Sequence, residues 1–480
     1  MTVKRWNWTG WVVLVACTQA DVGDSEPLDT ASDSSSDSAV ETGDLDTDSD
    51  TDTDTDTDTD TDTDTDTDAD TDTDTDTGEP EPEPDPAYNL CGEGRASSRP
   101  SGTWSEPVQA EVLVLLDRAN TSSSAEDQID SYDCASGTNE SGPEVIYRFT
   151  APSSGTFRAE LTDPQGVDID IHLLKNPSIA NGVATGCLGR AHEKLEVTGL
   201  SAGEYWVVAD TWSDGSTEYA GSYELAFEFL PDDTWVEIPL DDGLTWERKR
   251  YTNRSGDQTV NLVRLDLSEG YDLQPQSHGG CATVASTLRN LGARVGINGG
   301  FFGSGCSLLD LLKSDGTLVS TNGLHDYQQR TMGWNAPASA SMTWLDRGVD
   351  WSGVSDAMGG YPSLVTNGTA YAEIYPGQQV WSSTDWSAHP RTAVGLTGSG
   401  ELLMLTLDGR TAAGDGMTTQ ALAELMRDLG ATDAINFDGG GSTTMAIEDC
   451  WINDVVSYPS DNGTADHNGA RSVGSGLYIR

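Results

Sequence analysis

The chain has 480 residues, with 80 Asp and Glu against 25 Lys and Arg, a formal net charge of −55. Residues 21–86 concentrate the imbalance, with 28 acids and no Lys or Arg. So acidic a chain does not bind nucleic acid through phosphate neutralisation, its bulk is repelled by an anionic membrane surface, and its acidic stretch lacks the apolar surface needed to offset chain entropy.

Lys4 and Arg5 precede a short apolar run, Trp11–Ala16, and then Cys17. This is the pattern of a signal peptide over residues 1–16. The run is too short to span a bilayer. Leu14-Val15-Ala16-Cys17 resembles a bacterial lipobox, which implies cleavage before Cys17 and diacylation of its thiol. The membrane is then a partner through this lipid anchor alone. Thr18, where an Asp would favour inner-membrane retention, points to the outer membrane or cell surface of the envelope. The competing reading is an ordinary signal peptide whose cysteine is incidental. From Asp44 to Thr77 the chain is nearly a Thr-Asp repeat, and Glu79–Pro86 alternates acid with proline. Residues 17–86 therefore read as a disordered, self-repelling tether that stiffens towards its end. The repeat lacks the glycine and closing glutamate of a calcium loop.

Six further cysteines, Cys91, Cys134, Cys187, Cys281, Cys306 and Cys450, suit an exported, disulfide-bonded chain. Proximity suggests Cys91–Cys134 and Cys281–Cys306. Cys187–Cys450 is a candidate bridge between the two folded parts. No C-x-x-C or H-E-x-x-H occurs, so zinc and thioredoxin-like chemistry are unsupported and neither cofactor nor metal is expected.

Residues 87–230 read as short strands with turn punctuation: Val145–Phe149, Thr156–Leu161, Val167–Leu174, Gly203–Asp210 and Gly221–Phe229. Period-two alternation with one apolar face predicts an all-β sandwich. Asp168 and Asp170 invite a calcium reading, but solvated carboxylates on one strand face account for them more simply. The strings GTFRAELT, DIDIHLL, AGEYWVVADT and GSYELAFEF resemble the bacterial pre-peptidase C-terminal domain over residues 108–229. That resemblance implies a jelly-roll-like accessory module.

Residues 231–480 carry the chemistry-bearing motifs. A helix over Ala282–Leu291, stopped by Gly292, leads into a strand that ends at Asn298-Gly299-Gly300-Phe301-Phe302. A second helix, capped by Thr418 or Thr419, carries Leu422, Leu425, Met426 and Leu429 on one face. It leads into Ala434–Phe437 and the loop Asp438-Gly439-Gly440-Gly441-Ser442-Thr443. Two helix–strand units ending in glycine-rich loops predict an α+β or α/β domain with a mixed sheet and a cleft at the strand ends. The glycine-loop amides are candidates to cradle an oxyanion. Arg391 enters an apolar strand, so it needs an anionic partner: either a structural carboxylate or a bound phosphate. Asp408 ends another apolar strand, and Arg471 precedes the last one.

The strings INGGFF, MGGYPSLV, HPRTAVG, LDGR, AINFDGGGSTTM, VVSYPSD and ARSVGSGLYI together resemble the phosphodiester glycosidase family over residues 255–480. The resemblance implies hydrolysis of a sugar-1-phosphodiester, a carbohydrate substrate, and with no metal-ligand cluster in the sequence a metal-free reaction is the default. It casts Asp438 and Asp408 as catalytic carboxylates and Arg391 as the phosphate clamp. Asn298, Gly299, Phe301, Tyr361, Gly439, Gly440, Gly441, Ser442, Thr443 and Arg471 become substrate-binding residues, with Phe302 beside Phe301 as an apolar platform and His389 structural. Two rivals stand beside this reading: a non-enzymatic envelope lipoprotein that binds polysaccharide in the same cleft, and a structural lipoprotein served by its β domain. Since every motif lies in residues 231–480, that part is expected to fold and act alone.

Overall fold

The computed structural model describes residues 90–92, 99–252, 258–323, 328–379, 387–411 and 414–480, so Cys17 and the acidic linker lie outside the described residues. The first folded part is built from two sheets. One runs in the order Val108–Gln109, Glu144–Ala151, Gly203–Thr211, Ile169–Ala180, Val183–Ala191 and Ser131–Tyr132. The other runs Val114–Asn120, Ser222–Pro231, Gly155–Thr162 and Lys194–Leu200. Alternate residues of both fill one core, where Phe149 stacks on Phe157 and Tyr205 and touches Phe227 and Phe229. The strand at Ile169 departs from simple alternation. Ile169, Ile171 and Leu173 face the core, yet Asp170 and His172 on the other face are fully buried too. Of the two carboxylates expected to be solvated, only Asp168 is exposed.

The second part has three sheets. A nine-stranded sheet runs Val236–Asp241, Leu244–Tyr251, Gln258–Asp266, Glu401–Leu407, Arg391–Thr397, Ala431–Asn436, Ser363–Thr366, Thr369–Tyr375 and Gln378–Gln379. A four-stranded sheet joins Leu273–Ala282, Val473–Ile479, Val295–Asn298 and Met445–Ile447, and a five-stranded one lies within residues 312–360. Every pairing between named strands of these three sheets is antiparallel, which corrects the expectation of a mixed α/β sheet. The apolar runs that suggested parallel strands have another cause. The nine-stranded sheet is covered on both faces: Val394, Leu402 and Met404 pack against the other sheets, and Ala393, Leu403 and Leu405 pack beneath a helix. The two helices form as their caps dictate. Thr283 caps α1 (Val284–Leu291) through Ser286 N–H, and Gly292 ends it at φ +59. Thr418 caps α2 (Thr419–Asp428) through Ala421 N–H. Their following strands enter different sheets.

Both folded parts belong to one compact unit, Gly78–Arg480. Cys281 pairs with Cys306 as expected. Cys134 pairs with Cys187, and Cys91 with Cys450, so the Cys91–Cys134 and Cys187–Cys450 guesses are corrected. Proximity along the chain misled because Cys91 sits in the core of the second part, beside Ile238 and Leu240. A buried polar network joins the two parts. Glu228 of the sandwich meets Arg248 and the Tyr458 hydroxyl at very short range. Arg158 Nη1 donates to the same hydroxyl at 3.0 Å, and Arg248 Nε to Asn261 Oδ1 at 3.1 Å. Burial opposes charge on Glu228, yet Arg248, His467 and Arg158 hold its carboxyl well below the usual carboxylate range.

Residues 231–480 alone lack Glu228, so Arg248 loses the counter-charge it has in the full chain. Glu228→Gln should destabilise the full chain by about 3–5 kcal/mol in chemical denaturation, the cost of stranding a buried charge. Folding lowers the Glu228 pKa below its ordinary 4.5, so its contribution is present above that value and is lost as pH falls through the depressed folded value. The gap between wild type and Glu228→Gln should narrow only in that acid range.

Candidate active site

The site forms where the two glycine-rich loops meet. Asn298, at the end of its strand, is buried and donates from Nδ2 to the Asp438 carbonyl at 2.7 Å. Its Oδ1 accepts from Thr392 Oγ1 at 2.7 Å and from Thr444 N–H at 3.1 Å. The Asp438 N–H returns a bond to the Gly299 carbonyl at 3.1 Å. Asn298 is thus committed to the protein on both ends of its amide. It is a positioning residue, not the sugar-binding group expected from the sequence.

Asp438 leaves the strand Ala431–Asn436 and stands half-buried before a tight turn, Gly440–Ser442. Burial pushes its carboxyl up from the ordinary value. Hydrogen bonds from the Ser442 hydroxyl and the Gly439 N–H oppose this, as do the charges of Arg471 and Arg410. Glycine lets those cations come close. Gly440 adopts φ +61, and a Cβ there would lie 2.7 Å from Arg410 Nη1. A Cβ on Gly441 would strike Asp461 Oδ1 at 1.9 Å and Arg471 Nη2 at 2.3 Å. Arg471 is aimed by a bidentate pair with Asp461, at 2.7 and 2.8 Å, and its Nη1 lies 3.4 Å from Ser442 Oγ. Arg410 donates from Nε to His389 Nδ1 at 3.2 Å.

The amide cradle expected over Gly439–Thr443 is largely spent within the protein. Gly440 N–H donates to the Pro390 carbonyl at 2.9 Å, Ser442 to Gly439 at 3.2 Å and Thr443 to Gly440 at 3.3 Å. Polar capacity remains elsewhere, since the buried hydroxyls of Thr443 and Thr444 have no hydrogen-bond partner. Phe301 is half-buried at the loop, and Tyr361, between two strands, donates its N–H to the Asn436 carbonyl and accepts from Asn436 Nδ2 on its own carbonyl, both at 2.8 Å. Phe302 packs instead against the core beside α1.

Two expected residues sit elsewhere. Arg391 shares a strand face with Ala393, which packs under α2, while Thr392 on the opposite face reaches Asn298. Its guanidinium donates to the carbonyls of Met417 at 2.9 Å and Ser387 at 3.0 Å. These contacts turn the guanidinium towards the protein's own main chain and give no support to the phosphate-clamp role expected from the sequence. Asp408 is buried and accepts from Tyr458 N–H at 3.0 Å, with Arg248, Glu228 and Arg158 as its charged neighbours. Burial pushes it up to about 7. It supports the segment that leads to Asp461 and does not face Asp438.

A different carboxylate does. Asp310 is buried and accepts from Phe301 N–H and Gln329 Nε2. Burial, with the Asp438 charge adding to it, pushes its carboxyl up to about 7. Sequence reasoning passed over it, although an acid inside Leu308-Leu309-Asp310-Leu311-Leu312 is itself a signal. Arg410 and Asp461 lay inside recognised strings without an assigned role.

Residues 291–480 match the family described as phosphodiester glycosidase. Over 207 residues the chain is 31% identical to N-acetylglucosamine-1-phosphodiester alpha-N-acetylglucosaminidase of Mus musculus, covering 40% of this chain and 39% of that one. The Homo sapiens protein of the same name is 29% identical over 208 residues, with 40% and 39% covered. The chain thus spans about two-fifths of the length of the curated relatives it matches. A solved structure of the zebrafish catalytic domain, auto-inhibited by its pro-peptide, aligns at TM-score 0.39 and 21% identity over 52% of this chain and 81% of that one.

Proposed function

We propose that the chain is a hydrolase that cleaves the bond between a sugar C1 and a phosphodiester oxygen, in a glycan or envelope polymer. One observation carries this reading. Within the stretch that matches the phosphodiester glycosidase family, a half-buried carboxylate, Asp438, stands on a glycine-lined loop between the charges of Arg410 and Arg471. A phosphodiester needs cations, and the anomeric centre needs a carboxylate. Asp438 attacks C1 or takes the proton of the attacking water. Arg471 and Arg410 hold the phosphate, which leaves as a monoester anion and needs little protonation. The products are the free sugar and that monoester. The named relatives act on N-acetylglucosamine-1-phosphodiester, so that sugar is the first substrate to try.

The envelope location belongs to the same proposal and rests on Leu14–Cys17. A lipid anchor and the acidic linker would hold the enzyme off the membrane, with the β domain as its accessory module, as the resemblance to the pre-peptidase C-terminal domain suggests. Among the described residues no helix is long and apolar enough to cross a membrane. Cys17→Ser should shift the protein from the detergent phase to the aqueous phase; unchanged partition rejects the anchor.

The test of activity is release of phosphomonoester from a sugar-1-phosphodiester panel. Asp438→Asn should lower kcat by about 10²- to 10⁴-fold with an unchanged melting temperature. Arg471→Lys loses the planar fork and should raise KM, whereas Arg391→Lys should lower the melting temperature and spare turnover. Sugar-phosphate binding without turnover would instead support the polysaccharide-binding reading.

Asp310 sets the pH response. It is neutral below about 7 and becomes a second negative charge beside the phosphate site above that value. The ratio kcat/KM should therefore fall as pH rises through about 7. Asp310→Asn should flatten that fall, and an unaltered profile would remove Asp310 from the site.

A further inference from the structure

The sandwich carries a second cluster far in sequence from Asp438. Asp168 precedes the strand Ile169–Ala180, Asp170 lies within it, and His192 follows the neighbouring strand Val183–Ala191. The register of that pair, Ile171 opposite Ala191, brings the three side chains together. His192 Nδ1 is 3.2 Å from Asp168 Oδ1 and 3.6 Å from Asp170 Oδ1. One oxygen from each carboxylate and the ring nitrogen all lie within 4.8 Å of one another.

Asp170 is fully buried, and its two oxygens differ. Oδ2 pairs with Arg190 at very short range, while Oδ1 has no hydrogen-bond partner. A protonated His192 does not resolve this. One Nδ1–H serves one acceptor, and 3.6 Å is too long for a hydrogen bond to Asp170. Glu140 is a second fully buried acid there, its carboxyl oxygens likewise without hydrogen-bond partners, and Arg190 lies 3.7 Å from one of them.

We infer that Asp168, Asp170 and His192 form a divalent metal site of the zinc class. An ion bonded at about 2.0–2.1 Å to tetrahedral ligands separates them by about 3.3–3.4 Å, close to the two measured contacts. The imidazole selects zinc-like ions over calcium, which takes an all-oxygen shell. Asp170 is pre-aimed by Arg190, and the partly exposed Asp168 and His192 leave the remaining position to water. The ion would staple one end of the hairpin formed by Ile169–Ala180 and Val183–Ala191.

The test uses the full chain, stripped with a chelator and dialysed against Zn²⁺ in excess Ca²⁺, which occupies the acidic linker. Metal content is then measured beside the Zn²⁺-induced shift in melting temperature. Wild type should retain one Zn²⁺ per chain and melt higher. His192→Ala and Asp168→Asn, both partly exposed and spared from core packing, should bind Zn²⁺ more weakly by about 10- to 100-fold or more, with unchanged far-ultraviolet dichroism. Equal retention by all three proteins, no retention by wild type, or retention of Ca²⁺ in place of Zn²⁺ would each overturn the assignment.

Discussion

One buried amide, that of Asn298, holds the site together. Its donors and acceptor are divided among the Asp438 carbonyl, the Thr392 hydroxyl and the Thr444 N–H. Those partners belong to the nine-stranded sheet and to the two ends of the glycine loop, while Asn298 itself ends a strand of the four-stranded sheet. Two sheets that share no strand are thereby locked at the point where Asp438 emerges. A hydrogen bond in so dry a place adds modestly to stability when made. Left unmade, it exposes several buried polar groups at once.

The second support comes from outside the matched stretch. Glu228, a sandwich residue, anchors the Tyr458 hydroxyl, and Asp408 anchors the Tyr458 N–H. Three residues on, Asp461 takes Arg471 in a bidentate pair beside Gly441. The placement of a site cation therefore passes through a segment pinned from beneath by two buried carboxylates. Their pKa values are pushed in opposite directions. Arg248 keeps Glu228 ionised, while burial leaves Asp408 at about 7. Only the first has a guanidinium at hydrogen-bond range, which is the difference that burial then amplifies.

Much of this was legible in the chain. Gly292 marked the end of one helix and Thr418 the start of the other, because capping is local chemistry, while the Thr283 cap was hidden inside the expected helix. The short strands of the sandwich showed in alternation. The glycine loop after Phe437 marked the site, because only residues without a side chain tolerate Asp461 and Arg471 so near. Strand direction was not legible. An apolar run such as Leu402–Leu407 reports burial on two faces and says nothing of whether its neighbour runs parallel. Side-chain destination was not legible either. Arg391 and Asp408 look functional in sequence because a charge enters an apolar strand, and the pattern is the same whether a ligand or the protein's own main chain waits at the other end.

Asp408, which was misplaced, and Asp310, which was missed, share a cause. Asp408 and Asp310 are both carboxylates buried among apolar neighbours, and burial pushes both to about 7. What separates them is the charge each one faces. Asp408 meets Arg248 and Arg158, with Glu228 between them, in a region closed by the sandwich. Asp310 meets Asp438, whose other neighbours are Arg410 and Arg471. In the first environment the charges are matched within the protein, two guanidiniums against two carboxyls, although Asp408 Oδ2 has no hydrogen-bond partner. The second sets three acids, Asp310, Asp438 and Asp461, against two cations that also reach the glycine loop, so an incoming anion changes the balance of every group there. That sensitivity to an added negative charge is the physical property that separates a site from a core, and it appears only once the three-dimensional neighbours are known.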